Sequence, residues 1–157
     1  GDSFINDAIH HYKNIIIKNP NCDFISSKVN VVDNKGFVKR SFGLPWEWLM
    51  FRKYMTCAHP GSFHSRKLFE DYGKFNENYL IAGDYELLLR KNENLKTVFL
   101  DCITVNMLCG GVSSSSLLVF FESLRAKKLH TKRNIYVLYL ETVYHVFKYF
   151  IKKCLNL

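Results

Sequence analysis

The sequence predicts an α/β layer structure that gives way to a helical appendage after about residue 116. Two observations point there. Segments with helical spacing of apolar residues alternate with short β-branched runs, in the order helix, hairpin, helices, strands, helices. The charge then changes character: residues 1–116 carry 14 Lys+Arg against 12 Asp+Glu, whereas residues 117–157 carry 8 against 2. The expected division is therefore 1–116 as the α/β portion and 117–157 as a basic, aromatic, helical extension.

Each element has its own local reason. Ile5, Ala8, Ile9, Tyr12 and Ile16 fall on one helical face, so 4–18 reads as a helix, with Asp2 or Ser3 as its cap and Asn19-Pro20 as its end. Residues 23–32 (DFISSKVNVV) are β-branched and partly alternating. Asp33-Asn34-Lys35-Gly36 is a turn signal, and 37–42 returns as the second strand of a hairpin. Pro45 opens a short helix over 45–54. Residues 58–64 read as a loop leading into a short strand, and 67–72 as a helical turn stopped by Gly73. A loop over 74–83 precedes a helix at 85–91 with Asp84 at its start. Two strands are expected at 97–100 and 103–108, a flexible loop at 110–116, and helices at 117–130 and 133–153. No internal repeat is visible.

Composition narrows the class. The 157 residues suit one domain. A hydrophobic share of 48% with 23% charged residues excludes disorder and low-complexity classes. No run of 18 or more apolar residues occurs, so a plain membrane span is not expected. The chain begins at Gly1 without a Met or a secretory signal and reads as a segment of a longer protein. Cys22, Cys57, Cys102, Cys109 and Cys154 are odd in number and form no C-x-x-C, which favours a reducing compartment over a disulfide framework or a structural zinc. The formal net charge of +8 sits mostly in the last quarter, which directs an anionic partner to that segment.

Several residues carry candidate chemistry, each beside a plainer reading. Asp2, in GDSF, suits an oxygen ligand for a divalent cation, or simply a helix cap. Asp84, in LIAGDYELLLR, follows Gly83, which permits close substrate approach. It is a candidate general base, or an N-cap with Glu86 in the dipole-favoured first turn. Cys57, His59 and His64 are ligand types close together, but C-x-H-x4-H matches no common zinc pattern, so His59 reads as a substrate-contacting or structural histidine. In GGVSSSS, Gly110, Gly111 and Ser113 expose backbone amides and hydroxyls suited to phosphate oxygens, without a Walker lysine; a plain loop is the alternative. On the last helix Asn134, Glu141, His145, Lys148 and Lys152 form a narrow polar stripe, and Arg125, Lys127, Lys128, Lys132 and Arg133 precede it. A wide apolar face with flanking cations suits a membrane interface across 125–153, or a packed helix.

Taken in order, these segments resemble the second half of a family 2 glycosyltransferase of the GT-A fold, over roughly residues 1–125. GDSF resembles the close of the family's NSGDxF segment, its version of the DxD motif. FEDYGKFNENYLIAGDYELLLR resembles the stretch that carries the catalytic base, HPGSFHSRKLF resembles the family's HqatFfkrelF, and GGVSSS resembles its GGvS segment. The resemblance implies a partial GT-A fold whose nucleotide-binding half would precede Gly1, so that this segment alone does not turn over. It also implies an inverting hexosyltransferase-like enzyme of cell-surface polysaccharide or glycolipid synthesis. The partners are a nucleotide-diphosphate sugar, Mn2+ or Mg2+, and a saccharide or lipid-linked acceptor. By the same resemblance Asp2 would meet the cation, Asp84 would be the base, His59 and Gly83 would lie near the sugars, and Gly110, Gly111 and Ser113 would close over the reactants. Gly83-Asp84 stands where many members have Glu-Asp, and Asn76 stands in Phe75-Asn76-Glu77 where Asp is frequent.

The expected location is cytoplasmic, peripheral at the inner face of the cell membrane. The competing readings are a non-catalytic carbohydrate- or membrane-binding module on the same fold, and a nucleic-acid binder. The latter is disfavoured by the near-neutral first 116 residues and the lack of a recognised motif.

Overall fold

A computed structural model describes residues 1–111 and 116–155. It is a mixed α/β structure with a five-stranded sheet and, among the described residues, six α-helices. The chain forms two compact units, Gly1–Lys74 with Glu93–Gly111, and Phe75–Asn92 with Val112–Leu157.

The first unit is built on strand β2 (Phe24–Val32). Its residues are buried at Phe24–Ser27, Val29, Val31 and Val32, the near-continuous pattern of a central strand covered on both faces. On one side β2 runs parallel to β5 (Thr97–Leu108). On the other, β3 (Val38–Phe42) pairs antiparallel with its second half and β4 (Ser62–His64) with its first. The hairpin turn forms where the sequence places it. Gly36 donates its amide to the Asp33 carbonyl at 2.9 Å, and the Asp33 carboxylate accepts the Lys35 and Phe37 amides.

Three expectations change. Residues 97–108 make one strand, not two. The register with β2 jumps from Ser27↔Leu100 to Lys28↔Ile103 and Val29↔Val105, so the polar break at Asp101 is absorbed as a bulge, and Asp101 pairs with Lys28. The first helix, α1 (Ala8–Lys18), starts later than expected. Before it β1 (Ser3–Phe4) pairs antiparallel with Asn106 and Val105 of β5, because the open edge of that strand offers amides and carbonyls that must be satisfied. Asp2 therefore caps no helix. The third change concerns Pro45, which lies ahead of α2 (Trp48–Phe51) and does not open it. By contrast α3 (Arg66–Tyr72) is capped as its sequence requires: Ser65 accepts the Leu68 amide, and Gly73 closes it at φ 83.

Tyr12 fastens α1 to the sheet. Its ring packs on Ile25, Leu100 and Phe63. Its hydroxyl donates to Ser27 Oγ at 2.9 Å and lies 2.8 Å from Thr104 Oγ1, while Ser27 donates to the Gly61 carbonyl at 3.1 Å.

The second unit holds α4 (Gly83–Arg90), α5 (Leu118–His130) and α6 (Ile135–Cys154), with α4 against α5 and α5 against α6. Leu87, Leu88, Leu89, Ala126 and Leu138 are its fully buried apolar residues. Residues 75–92 thus belong with the C-terminal helices. The sequence boundary near 116 groups them instead with the sheet, since a change in charge does not report which helix faces pack together. Asn134 caps α6, its side-chain oxygen accepting the Tyr136 amide at 2.9 Å.

Tyr12→Phe removes a buried hydroxyl but leaves Ser27 and Thr104 able to bond one another. We expect it to lower stability by about 1–2 kcal/mol, read from urea unfolding. A loss indistinguishable from zero would mean that the ring alone holds α1.

Candidate functional site

In the first unit the fold brings Asp2 to the carboxyl ends of the parallel strands. Its Oδ1 accepts the Leu108 amide at 3.0 Å, two residues ahead of the Gly110-Gly111 pair. The Cys109 amide beside it donates to the Val32 carbonyl at 2.8 Å, so the ends of β2 and β5 are tied together there. Asp2, Gly110 and Gly111 are exposed, and both glycines border open space. This is the end of a parallel pair where α/β proteins commonly bind ligands. The sequence proposes these residues separately; strand pairing is what joins them across the length of the unit. Ser113 lies outside the described residues.

His59 begins a 3-10 turn, His59–Gly61, and its carbonyl accepts the Ser62 hydroxyl at 2.7 Å. Its ring is 5.4 Å from that of His64, which sits against Phe24 and Phe69. Burial, and then the charge of His59, depress the His64 pKa to about 4, so it is neutral at pH 7. Burial likewise pushes the Cys57 thiol up. A neutral thiol in the core is a poor metal ligand. Among the described residues no group of three or more His, Cys, Asp or Glu is placed to hold a metal ion. Asp2 alone is one carboxylate and does not make a cation site.

A feature missed by the sequence lies between β3 and the loop that follows it. Lys28, Ser41, Phe42, Leu44, Tyr54 and Thr56 line a cavity of about 520 Å³. Gly43 also lines it, at φ 120, and a Cβ there would lie 2.4 Å from the Ser27 carbonyl oxygen, so only glycine lets the loop close on β2. The glycine was visible in the sequence, but the close approach that demands it was not.

In the second unit Asp84 is the second residue of α4, and Ala82 takes the cap position without a side-chain bond. Asp84 is half-buried and its Oδ1 accepts the Tyr85 amide at 2.7 Å. It is therefore not the N-cap. A carboxylate at this position is favoured by the helix dipole. What fixes the approach to it is Glu122 of α5, whose buried carboxylate accepts the amides of Leu80, Ile81 and Ala82, each at 2.8 Å. Burial works to raise the Glu122 pKa, but these bonds outweigh it and hold the carboxyl below the usual range. Sequence reasoning missed Glu122, because its partners are backbone groups about 40 residues away.

Glu86 stands in the first turn of α4, where the sequence places it. It is buried, takes Arg90 Nε at 3.0 Å and lies 2.8 Å from His130 Nε2. The middle of the polar stripe of α6, Glu141 and His145, is also drawn in, while Asn134 and Lys148 stay exposed. Glu141 is bonded bidentately by Arg133 and lies 3.6 Å from the buried Lys127. Arg125 lies over the Tyr79 ring at 4.8 Å. Three of the five cations expected to face a membrane thus have partners within the unit, while Lys128 and Lys132 stay exposed.

No family model matches the chain, and no curated protein matches it. Among the described residues no helix is long and apolar enough to cross a membrane.

The chemistry these contacts permit is that of a fixed, half-buried carboxylate at a helix start. Glu122→Ala strips three buried amides of their acceptor and is expected to cost about 2–4 kcal/mol in denaturant unfolding. The folded pKa of Glu122 lies below its unfolded value. Its contribution is therefore complete above the ordinary carboxylate range and fades as pH falls through the lower folded value. Glu122→Gln should flatten that part of the acid limb in unfolding measured across the acid range. An unchanged limb would show that other carboxylates carry it.

Proposed function

We propose that this chain is the acceptor-side portion of an inverting, family 2-like sugar transferase of the GT-A type. In this reading it moves a hexose from a nucleotide-diphosphate sugar to a hydroxyl of a saccharide or lipid-linked acceptor. The product belongs to cell-surface polysaccharide or glycolipid synthesis, and the work is done at the cytoplasmic face of the cell membrane. The observation that supports it most directly is Asp84, half-buried at the start of α4 and preceded by a segment clamped by Glu122. It falls within the stretch of sequence whose resemblance to the family is most specific.

Asp84 acts as general base. Its carboxylate takes the proton of the acceptor hydroxyl as that oxygen attacks the anomeric carbon. The bond from that carbon to the diphosphate oxygen breaks on the opposite side, and the configuration inverts. The transition state has oxocarbenium character, as at other glycosyl centres. Asp2, Gly110 and Gly111 serve the donor at the sheet end, with Asp2 one of the groups directed to a Mn2+ or Mg2+ ion, and His59 contacts a sugar.

In the full-length protein, Asp84→Asn should lower kcat by about a thousandfold with the donor KM little changed, measured as sugar transfer from labelled nucleotide sugars. Transfer at the normal rate would remove the base assignment. Gly83→Ala separates substrate approach from folding. An added Cβ would meet only the Tyr79 Cβ, at an ordinary 3.7 Å, so stability should hold while kcat/KM falls. Unchanged kcat/KM would leave Gly83 a structural residue only. Absence of any transfer, with sugar binding retained, would favour a carbohydrate-binding module on the same scaffold.

A further inference from the structure

Two ion pairs of the second unit, Arg133–Glu141 and Lys127–Glu141, fix how α6 is turned. Its 20 residues place Leu138 and Thr142 inside, with Glu141 and His145 beside them at half exposure. The opposite side carries Tyr136, Leu140, Val143, Tyr144, Phe147 and Ile151, all exposed. They recur at intervals of three and four residues, so they form one continuous strip along about 23 Å of helix. Leu140 is 71% and Phe147 63% exposed, so no described residue covers the middle of the strip.

Within the segment 116–155 the exposed charges are of one sign. Between Ser116 and Leu155 the acidic residues are Glu122 and Glu141. The first is held by three backbone amides, the second by Arg133 and Lys127. The exposed charged residues of this segment, among those described, are Arg125, Lys128, Lys132, Lys148 and Lys153.

We propose that the outer face of α6 docks flat on an anionic lipid surface. The aromatic and aliphatic strip enters the headgroup boundary, and the exposed lysines meet lipid phosphates and carboxylates. The charge decides between occupants. A second copy of this chain would bring its own cations against these and would supply no exposed carboxylate from its α6, whereas an anionic bilayer supplies both hydrocarbon and negative charge. The helix lies along the surface and does not cross it, since it is not apolar enough to span. The inference does not depend on sugar transfer; a binding module on this scaffold would dock in the same way.

Vesicle co-sedimentation of the full chain tests it. Liposomes of phosphatidylcholine with roughly one-third phosphatidylserine should bind the protein at least about tenfold better than phosphatidylcholine alone, and added salt should release it. Leu140→Glu with Phe147→Glu should abolish that binding. Both side chains are exposed, and an unchanged helical circular dichroism spectrum will confirm the fold. A second variant, Lys128→Gln with Lys132→Gln and Lys148→Gln, leaves the strip intact and should lose about fivefold in affinity per lysine. Equal binding of wild type and both variants overturns the proposal. Concentration-dependent dimerisation that the Leu140/Phe147 variant removes, without vesicle binding, also overturns it and gives the face to a second copy.

Discussion

The helical unit depends on how it answers buried negative charge. Glu86, Glu122 and Glu141 all lie wholly or partly out of water, where an unanswered carboxylate would cost several kcal/mol. Each is met by a different kind of partner. Glu86 takes a guanidinium one helical turn away and a histidine from α5. Glu141 takes Arg133 and Lys127 from the end of α5 and the turn into α6. Glu122 takes three consecutive backbone amides. The last solution does most for the candidate site. The amides of Leu80, Ile81 and Ala82 face no competing strand or helix carbonyl, and once they are tied to α5 the chain enters α4 in one fixed direction. The position of Asp84 follows from that entry, not from a cap of its own.

In the sheet unit the constraint is different in kind. β2 has strands on both edges and is closed to water along most of its length, so the hydroxyls it buries must be satisfied internally. Ser27 and Thr104 meet across the parallel pair, Tyr12 reaches them from α1, and Gly61 offers its carbonyl from the turn. The bulge in β5 occurs at the same level, between Leu100 and Ile103. It changes the register just before the strand end that carries Leu108, Gly110 and Gly111. The edge strand Ser3–Phe4 then lays Asp2 against Leu108.

Much of this was legible in the sequence because its causes are local. The Asp33–Gly36 turn, the Gly73 stop and the two long C-terminal helices each follow from residues within a few positions of one another. The misreadings share one cause, which is long-range pairing. Ser3 reads as a helix cap and Phe4 as the first helical residue, and both become a strand because β5 has an open edge. Asp101 looks like a strand break, and the ladder on either side carries it as a bulge. Asp84 looks like a cap until Ala82 is seen in that place. Glu122 carries no local signal, since a glutamate within a helix is the commonest of surface residues.

The same limit explains α6. From spacing alone, a helix with a narrow polar stripe and a broad apolar arc suits either a membrane interface or packing of its arc on protein. Counting residues does not choose between them, because both cover the same apolar arc. The ion pairs decide it. Arg133 and Lys127 can reach Glu141 only if the stripe faces the rest of the unit, and Leu138 and Thr142 turn inward beside it. Once Glu141 is committed inward, the arc has nowhere to go but outward, where an apolar strip of this length on a water-facing helix is unusual for a free domain. The polarity of the helix is thus set by one glutamate with two cationic neighbours, and the greasy exterior is its consequence.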